Sequence, residues 1–183
     1  MTAAWGPLAA LIGDWVSDYD GYDVSFHSDK GKLGESRYRE ETSFVPYGPV
    51  NFGGQTLYGL DYRTTTWAEG TATPAHREIG YWIWDEANQQ VVRCLNTPFA
   101  TALMAGGTVA PDATTFKLEA VLGSNSYGIL SNQYLDAHAK TTRYDVTISV
   151  DADTFTYDQT IVIEYQHQHG VILHTDRNTL RRA

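Results

Sequence analysis

Basic residues and cysteines are scarce in this sequence of 183 residues. Lysine and arginine together number 13 against 22 aspartates and glutamates, which gives a formal net charge of -9. Nucleic acids and anionic membrane surfaces are bound through basic surfaces, so neither is an expected partner. Cys94 is the single cysteine, which excludes an internal disulfide and favours a reducing compartment, the cytoplasm.

Long apolar runs are missing as well. No window of about 18 apolar residues occurs, so a membrane-spanning helix is not expected. The first fifteen residues, MTAAWGPLAALIGDW, lack the basic start and the long apolar centre of a secretory signal. Phosphate-binding glycine loops, nucleophile elbows and zinc signatures are not found either, which argues against a nucleotide enzyme or a classical hydrolase.

Aromatic residues, by contrast, make up 13% of the chain, and they mark a stretch from Pro74 to Gly107 that predicts three strands. Residues 76–84 are rich in aromatic and β-branched side chains, and two further apolar segments follow at 91–95 and 99–104. The consecutive residues Tyr81 to Trp84 place large side chains on both faces of this sheet. We therefore expect a core on one face and a plug, a ligand or a partner on the other.

The same kind of pattern along the chain predicts an all-β fold in one domain, residues 1–183, with one short helix at 6–13. Strands joined by short turns pair antiparallel with their neighbours, and closure into a barrel removes exposed edges. We expect a closed antiparallel barrel of about ten strands with an N-terminal helical cap, like lipocalins and fatty-acid-binding proteins, rather than a sandwich. The predicted strand segments are 14–26, 35–45, 56–67, 76–84, 91–95, 99–104, 114–122, 127–135, 140–150, 154–164 and 171–182.

Four segments in order resemble the nitrobindin-like, or THAP4-like, haem-binding β-barrels: residues 11–15, 51–60, 74–82 and 179–183. The resemblance spans nearly the whole chain and rests on the order and spacing of these segments. It implies a ten-stranded antiparallel barrel with an N-terminal helical cap. It also implies haem b at the open mouth, held by one histidine of the last strand, with nitric oxide and peroxynitrite chemistry such as a peroxynitrite isomerase-like activity.

The last strand departs from the family pattern at the residue that would bind iron. Counted back from the terminal Leu-basic-basic run, that position is Thr175, and His174 lies one residue before it. One residue along a strand exchanges inside for outside. The predicted inward set is Thr175, Arg177 and Thr179, and a bulge after His174 would be needed to turn it inward as the haem ligand. His174, Asp176 and Asn178 are predicted to point outward.

Further candidate contacts come from several strands. The resemblance places His76 in the cavity wall, as a haem or ligand contact, whereas a bond to Glu78 would make it structural. Arg177, with Thr179 and Trp82, is a candidate contact for a ligand carboxylate. A buried guanidinium needs an anion, and the expected partner is one of the internal carboxylates. These carboxylates are Glu40, Glu78 and Glu164.

Two other groups are not expected to carry chemistry. His167 and His169 share a strand face, but they adjoin a probable turn and lack further ligands at metal-binding spacing, so no structural metal is predicted there. Asp18, Asp20 and Asp23 lack the glycine and the terminal glutamate of a calcium loop.

Three functions remain open at this point. The first is a haem-binding barrel, and the second is a carrier of a small apolar or carboxylate-bearing ligand. The third is a barrel filled by its own side chains, with a structural or interaction role. The sequence indicates neither the cavity volume nor the oligomeric state.

Overall fold

The computed structural model describes residues 3–27, 30–166 and 170–183. In these residues, strands dominate and the helices are short. The elements in chain order are a 3₁₀ helix (Ala3–Leu11), β1 (Gly13–His27), β2 (Lys32–Phe52), β3 (Gln55–Ala68), β4 (His76–Asp85), β5 (Gln90–Asn96), β6 (Thr101–Thr108), β7 (Thr115–Val121), β8 (Ile129–Ser131), α1 (Gln133–His138), β9 (Ala139–Val150), β10 (Thr154–Tyr165) and β11 (Val171–Arg182).

Ten of the strands close into an antiparallel barrel. Their order around the ring is β5-β4-β3-β2-β1-β11-β10-β9-β7-β6, and pairing of β5 with β6 completes it. The three-residue strand β8 also pairs with β6, at residues 101–103, and its Ile129 is buried in the core. The expected all-β closed barrel is therefore confirmed. Among the described residues, no helix has the length and apolar character needed to cross a membrane.

The 3₁₀ helix packs on one end of the barrel, at the ends of β3 and β4. Its Leu8 and Leu11 are fully buried, and Trp5 donates a hydrogen bond from Nε1 to the carbonyl of Gly59 at 3.0 Å. The helical cap was expected at 6–13, but the helix begins at Ala3 and is interrupted at Gly6, whose φ is 49°. The end of the barrel opposite this cap is called the open end below.

Apolar side chains fill the half of the barrel next to the cap. Strand β7 is an example. Its side chains alternate strictly between buried and exposed, and the three that point inward are Phe116, Leu118 and Ala120. Further inward side chains from other strands complete this core: Trp15, Phe44, Leu60, Trp82, Trp84, Ile148, Phe155 and Leu180.

Two sequence-based boundaries are wrong. A strand was predicted at 127–135, but only Ile129–Ser131 is extended, and α1 follows because the side chain of Asn132 caps it by accepting a hydrogen bond from the Leu135 amide at 2.9 Å. The second strand was predicted to end at residue 45, but β2 continues to Phe52 through an irregularity in its pairing with β3 between Tyr47 and Val50. Bulges of this kind accommodate proline in a strand.

Gly80 is required by the close approach of β4 and β5. A Cβ at this position would lie 1.9 Å from the carbonyl oxygen of Cys94 on the neighbouring strand, and backbone cannot move aside cheaply. We expect Gly80→Ala to lower the free energy of unfolding by about 1–3 kcal/mol or more, the usual cost of overpacking. Urea unfolding of the variant measures this.

Gly54→Ala is the matched control, because a Cβ there would meet nothing within 4 Å. Its urea midpoint should stay close to that of the wild type. Equal losses in the two variants would contradict the close approach of β4 and β5 at Gly80.

Candidate functional site

The pairing of β11 determines which of its side chains enter the barrel. Asn178 and Leu180 are buried, whereas Arg177 is exposed. Its guanidinium carbon lies over the ring of Tyr22 on the outer face of the barrel, 5.2 Å from the ring centroid. By alternation, His174 and Asp176 share the inner face with Asn178. No bulge is needed to turn His174 inward, because β11 pairs with β10 in continuous register from Val171 to Arg181.

The predicted inward direction of Thr175, Arg177 and Thr179 is therefore wrong. Thr179 is on the outer face, where its hydroxyl lies 3.2 Å from that of Thr156. Arg177 does not have the buried carboxylate partner that was predicted for it. The physical reason is that Leu180 packs in the apolar core. Because side chains alternate along a strand, Asn178, Asp176 and His174 point inward with it.

Polar side chains fill the barrel between the apolar core and the open end. We call this set the polar layer. Its members come from seven of the ten barrel strands and are joined by hydrogen bonds. They are Tyr38, Glu40, Thr42, Tyr62, Thr64, Glu78, Arg93, Tyr144, Tyr157, Gln159, Asp176 and Asn178.

One half of the polar layer is organised around Arg93, which is 5% exposed. Its Nη2 donates to Glu78 at 2.6 Å and to the Tyr62 hydroxyl at 3.0 Å, and its Nη1 donates to Tyr144. Tyr62 in turn donates to Glu78 at 2.7 Å. Burial alone would raise the pKa of Glu78, but the charge of Arg93 and the hydrogen bonds with His76 and Tyr62 together outweigh it and lower that pKa to about 2. Glu78 is therefore a carboxylate at neutral pH.

The other half is organised around Glu40, which is 2% exposed and accepts four hydrogen bonds. Thr42 and Thr64 donate to its Oε1 at 2.7 Å each. Tyr157 and Asn178 donate to its Oε2 at 2.7 and 2.8 Å. Four donors stabilise a buried carboxylate without a neighbouring cation.

Asp176 joins the two halves. It accepts hydrogen bonds from Gln159 at 3.0 Å and from the hydroxyl of Tyr38. Burial raises the pKa of this carboxyl to about 7; the hydrogen bond from Tyr38 opposes the shift, and the negative charges of Glu40 and Asp23 reinforce it. Asp176 is therefore a weaker acid than an exposed aspartate.

Little space is left inside the polar layer. A cavity of about 20 Å³ lies among its side chains and those of Trp82 and Phe155, enough for about one water molecule. Nε1 of Trp82 and Nε of Arg93 are buried there without a hydrogen-bond partner among the described atoms. Trp82, a predicted ligand contact, thus borders a space of water size.

His174 lies on the inner wall at the open end, beyond Asp176. Its side chain is 27% exposed, and its Nε2 is 2.5 Å from Oδ1 of Asp23. Ser25 donates to the other oxygen of Asp23 at 2.7 Å. Burial would raise the pKa of Asp23, but the hydrogen bonds from His174 and Ser25 outweigh it and the pKa is lowered. The imidazole is thus fixed by a carboxylate that stays ionised.

His76 is the second inward-facing histidine near this end. It stacks on Phe99, with ring centroids 6.2 Å apart and planes 21° apart, and its Nε2 is 3.2 Å from Oε1 of Glu78. Burial lowers the pKa of His76, but the bond and charge of Glu78 outweigh this and the net shift is upward. The bond to Glu78, which was the structural alternative for His76, is present, and the ring also lies near the open end.

Other sequence candidates lie elsewhere. Glu164, a proposed partner of Arg177, is exposed. Cys94 is half-buried on the outer face, and burial raises the pKa of its thiol. His167 and His169 fall outside the described residues, and within those residues no group of three or more potential ligands is arranged to hold a metal ion.

Sequence reasoning missed Arg93, the buried cation of the barrel. The signal was present, because Arg93 alternates with Val91 and Leu95 in β5, and both of these are buried. A charged residue at the centre of such an apolar alternation points into the core and needs a buried anion. That anion is Glu78.

Comparison with known proteins identifies a family and solved structures of related fold. Residues 4–182 match the family model described as THAP4-like, heme-binding beta-barrel domain. The crystal structure of Rv2717c from M. tuberculosis superposes with a TM-score of 0.64 at 20% sequence identity, over 96% of this chain and 94% of that one. No curated protein sequence matches significantly.

Proposed function

The chain belongs to the THAP4-like haem-binding β-barrel family, and we propose that its open end binds haem through His174. The observation that carries this proposal is the inward direction of His174, which shares a face with the buried residues Asn178 and Leu180. A histidine of the last strand is thereby available to a ligand inside the mouth of the barrel.

The environment of His174 suits a metal ligand. Histidines that bind metals usually bond a carboxylate through their second nitrogen, which orients the ring and raises its basicity. Asp23 takes this role, and the contact uses Nε2, so Nδ1 is the nitrogen left for iron. Because Asp23 is itself held by Ser25, the ring is oriented before any ligand arrives.

The polar layer limits where a large ligand can lie. With about 20 Å³ of free space among its side chains, a macrocycle cannot enter the middle of the barrel and has to stay at the open end. Phe99 is 59% exposed there and its ring stacks on His76, which offers a flat apolar surface for a planar ligand. Bound haem would supply a redox-active iron, for which nitric oxide and peroxynitrite are the proposed reactants.

The two alternative functions fare differently. The structure does not favour a carrier of fatty-acid type. Arg177, the predicted contact for a ligand carboxylate, lies on the outer face, and the cavity inside the polar layer is too small for an apolar chain. A filled barrel describes the middle of the molecule well, and it leaves the open end as the place for a ligand. In this proposal the polar layer closes the inner side of the haem site.

Titration with hemin tests this function. We expect purified protein to develop a Soret band that saturates at about one equivalent, because the proposed ligand is one histidine, His174, at one end of the barrel. Bound hemin should also raise the melting temperature, since a ligand that binds only the folded state stabilises it. The same chain unfolded in urea controls for hemin adsorption, and a wild-type titration that never saturates would contradict haem binding.

A further inference from the structure

The outer surface of the barrel has a charged side and an apolar side. On the charged side, acidic and basic residues of β7, β9 and β10 point outward, among them Lys117, Glu119, Asp145 and Asp158. Arg143 of β9 forms ion pairs with Glu119 at 2.7 Å and with Asp145 at 2.6 Å. On the other side, formed by β4, β5, β6 and β8, most outward positions carry uncharged side chains. Polar outer faces are usual for a sheet in water, so the apolar side needs a physical cause.

Direct pairing across the strands brings the outward apolar side chains of this side together. Tyr81 of β4 lies opposite Cys94 of β5, which lies opposite Met104 of β6. The next row towards the open end begins with Ile79 on β4 and ends with Leu130 on β8. We call these five residues the apolar patch: Ile79, Tyr81, Cys94, Met104 and Leu130.

Much of the apolar patch is open to solvent. Its residues other than the half-buried Cys94 are between 40% and 74% exposed. Four strands about 4.8 Å apart make the patch roughly 15 Å wide. Contiguous exposed apolar patches mark contact surfaces, and tyrosine and methionine are enriched at the centres of protein–protein interfaces. The sequence predicted a cover over the outer face of the run from Tyr81 to Trp84, and this patch is where a partner would supply it.

Two opposite charges lie side by side on the border of the apolar patch. Asp61 and Arg63 are outward, exposed residues of β3, the strand next to β4. Asp61 lies opposite Tyr81, and Arg63 lies opposite Ile79. Within the part of the chain that the structure describes, neither charge forms an ion pair. Each row of the patch therefore ends in a charge of a different sign.

This arrangement makes the surface complementary to a second copy of itself. Consider a two-fold axis that runs across the strands, between the row of Tyr81 and the row of Ile79. It brings Asp61 of each copy opposite Arg63 of the other, and it packs the two patches against each other. The strands of the two copies then run antiparallel, which is compatible with the aligned packing of two sheets about 10 Å apart. Two-fold contacts of one surface with itself are the commonest interfaces of soluble oligomers.

We propose that the apolar patch is the contact surface of a symmetric dimer of this chain, with Asp61 and Arg63 paired across the interface. A second copy is the occupant that the charges favour, because it carries the required opposite charges in the required order. A patch roughly 15 Å wide with a polar border lies at the small end of specific interfaces, so we expect a dissociation constant of about 1–100 µM. The patch lies on the outer wall, and the inference does not depend on haem.

The first test is sedimentation velocity of hemin-free protein. We expect wild type to pass from monomer to dimer between about 1 and 300 µM. Met104→Glu should weaken dimerisation by about tenfold or more, because it places an unpaired charge inside the interface. Val16→Glu is the matched control, because Val16 is an outward residue of β1 with 39% exposure against 40% for Met104. Its association should equal that of wild type.

A wild-type protein that stays monomeric up to about 300 µM would overturn the dimer and leave the patch to a different protein. Equal dissociation constants for wild type and Met104→Glu would overturn the assignment of the patch. Neither result bears on haem binding, which the hemin titration tests separately. Far-ultraviolet circular dichroism and thermal melts check that each variant is folded.

The second test addresses the two-fold arrangement through the charges. Asp61→Arg gives each copy two positive charges on this border, and Arg63→Asp gives each copy two negative charges. Each variant alone should dimerise at least about tenfold more weakly than wild type, because like charges then face each other. An equimolar mixture of the two variants should regain the wild-type association, since positive borders then face negative ones. A mixture that associates no better than either variant alone would contradict the proposed pairing of Asp61 with Arg63.

Discussion

Arg93→Leu is expected to lower the free energy of unfolding by about 3–5 kcal/mol, the cost of leaving a buried charge without its partner. Arg93 and Glu78 are both buried and 2.6 Å apart, and the same guanidinium also holds the hydroxyls of Tyr62 and Tyr144. Leucine would fill part of the volume but leave Glu78 with only the Tyr62 hydroxyl and the His76 ring as partners. Urea unfolding of the pure variant measures the loss.

Arg177→Leu is the matched control for this substitution. Arg177 is exposed and touches the ring of Tyr22 on the outer face, so its loss should cost about 1 kcal/mol or less. The double variant Arg93→Leu/Glu78→Met removes both charges and should recover part of the stability. A loss in Arg177→Leu as large as that in Arg93→Leu would contradict the direction of the β11 side chains.

The pH dependence of the same pair has a definite sign. Arg93 makes the largest of the contributions that lower the pKa of Glu78 from 4.5 to about 2. Glu78 and its partners therefore stabilise the protein above pH 4.5 and lose that contribution as pH falls towards 2. Melting temperatures of wild type should therefore drop over this window. In Arg93→Leu the drop contributed by Glu78 should become smaller, because the largest contribution to its lowered pKa is gone while the bonds from His76 and Tyr62 remain.

His174→Ala is expected to weaken hemin binding by about 100-fold or more. Loss of a residue that merely bonds a metal ligand costs about 10–100-fold, so loss of the ligand itself should reach at least the upper end of this range. The fold should survive, because Asp23 keeps its hydrogen bond from Ser25 and the imidazole is already partly exposed. Soret titrations and thermal melts of the hemin-free variant separate the two effects.

Thr175→Ala is the control for that experiment. Thr175 occupies the family's ligand position by simple counting, yet it lies on the outer face of β11. Its substitution should leave hemin affinity unchanged within about twofold, since one tenfold change already requires about 1.4 kcal/mol. A loss of binding in Thr175→Ala, with His174→Ala unaffected, would reverse the assignment of the two faces.

The closed barrel could be predicted from the sequence, whereas the direction of β11 could not. Strand β7 alternates apolar and polar residues, so its inner face can be read directly. In β11 polar residues occur on both faces from His174 to Thr179, because the polar layer makes its inner wall hydrophilic. Only the apolar residue Leu180 indicates which face of β11 points inward. Counting back from the family's terminal pattern placed Thr175 inside instead of His174.

The consecutive residues Tyr81 to Trp84 were expected to be covered on both faces, and this is partly what the structure has. Trp82 and Trp84 are buried in the core, and Ile83 is half-buried. Tyr81 packs edge-on against Tyr47 outside the barrel but remains 49% exposed. The alternation of side chains along β4 therefore predicted correctly that Trp82 and Trp84 lie on the same face. The covering of Tyr81 and Ile83 depends on residues of neighbouring strands, which this sequence pattern does not indicate.

The central claim, that His174 holds haem iron at the open end, is tested most directly by resonance Raman spectroscopy of hemin-loaded, reduced protein. We expect an iron–histidine stretching band that shifts when histidine is labelled with ¹⁵N. The band should persist in His76→Ala, disappear in His174→Ala and return when imidazole is added to that variant. A band that survives in His174→Ala, or that disappears only in His76→Ala, would contradict ligation by His174.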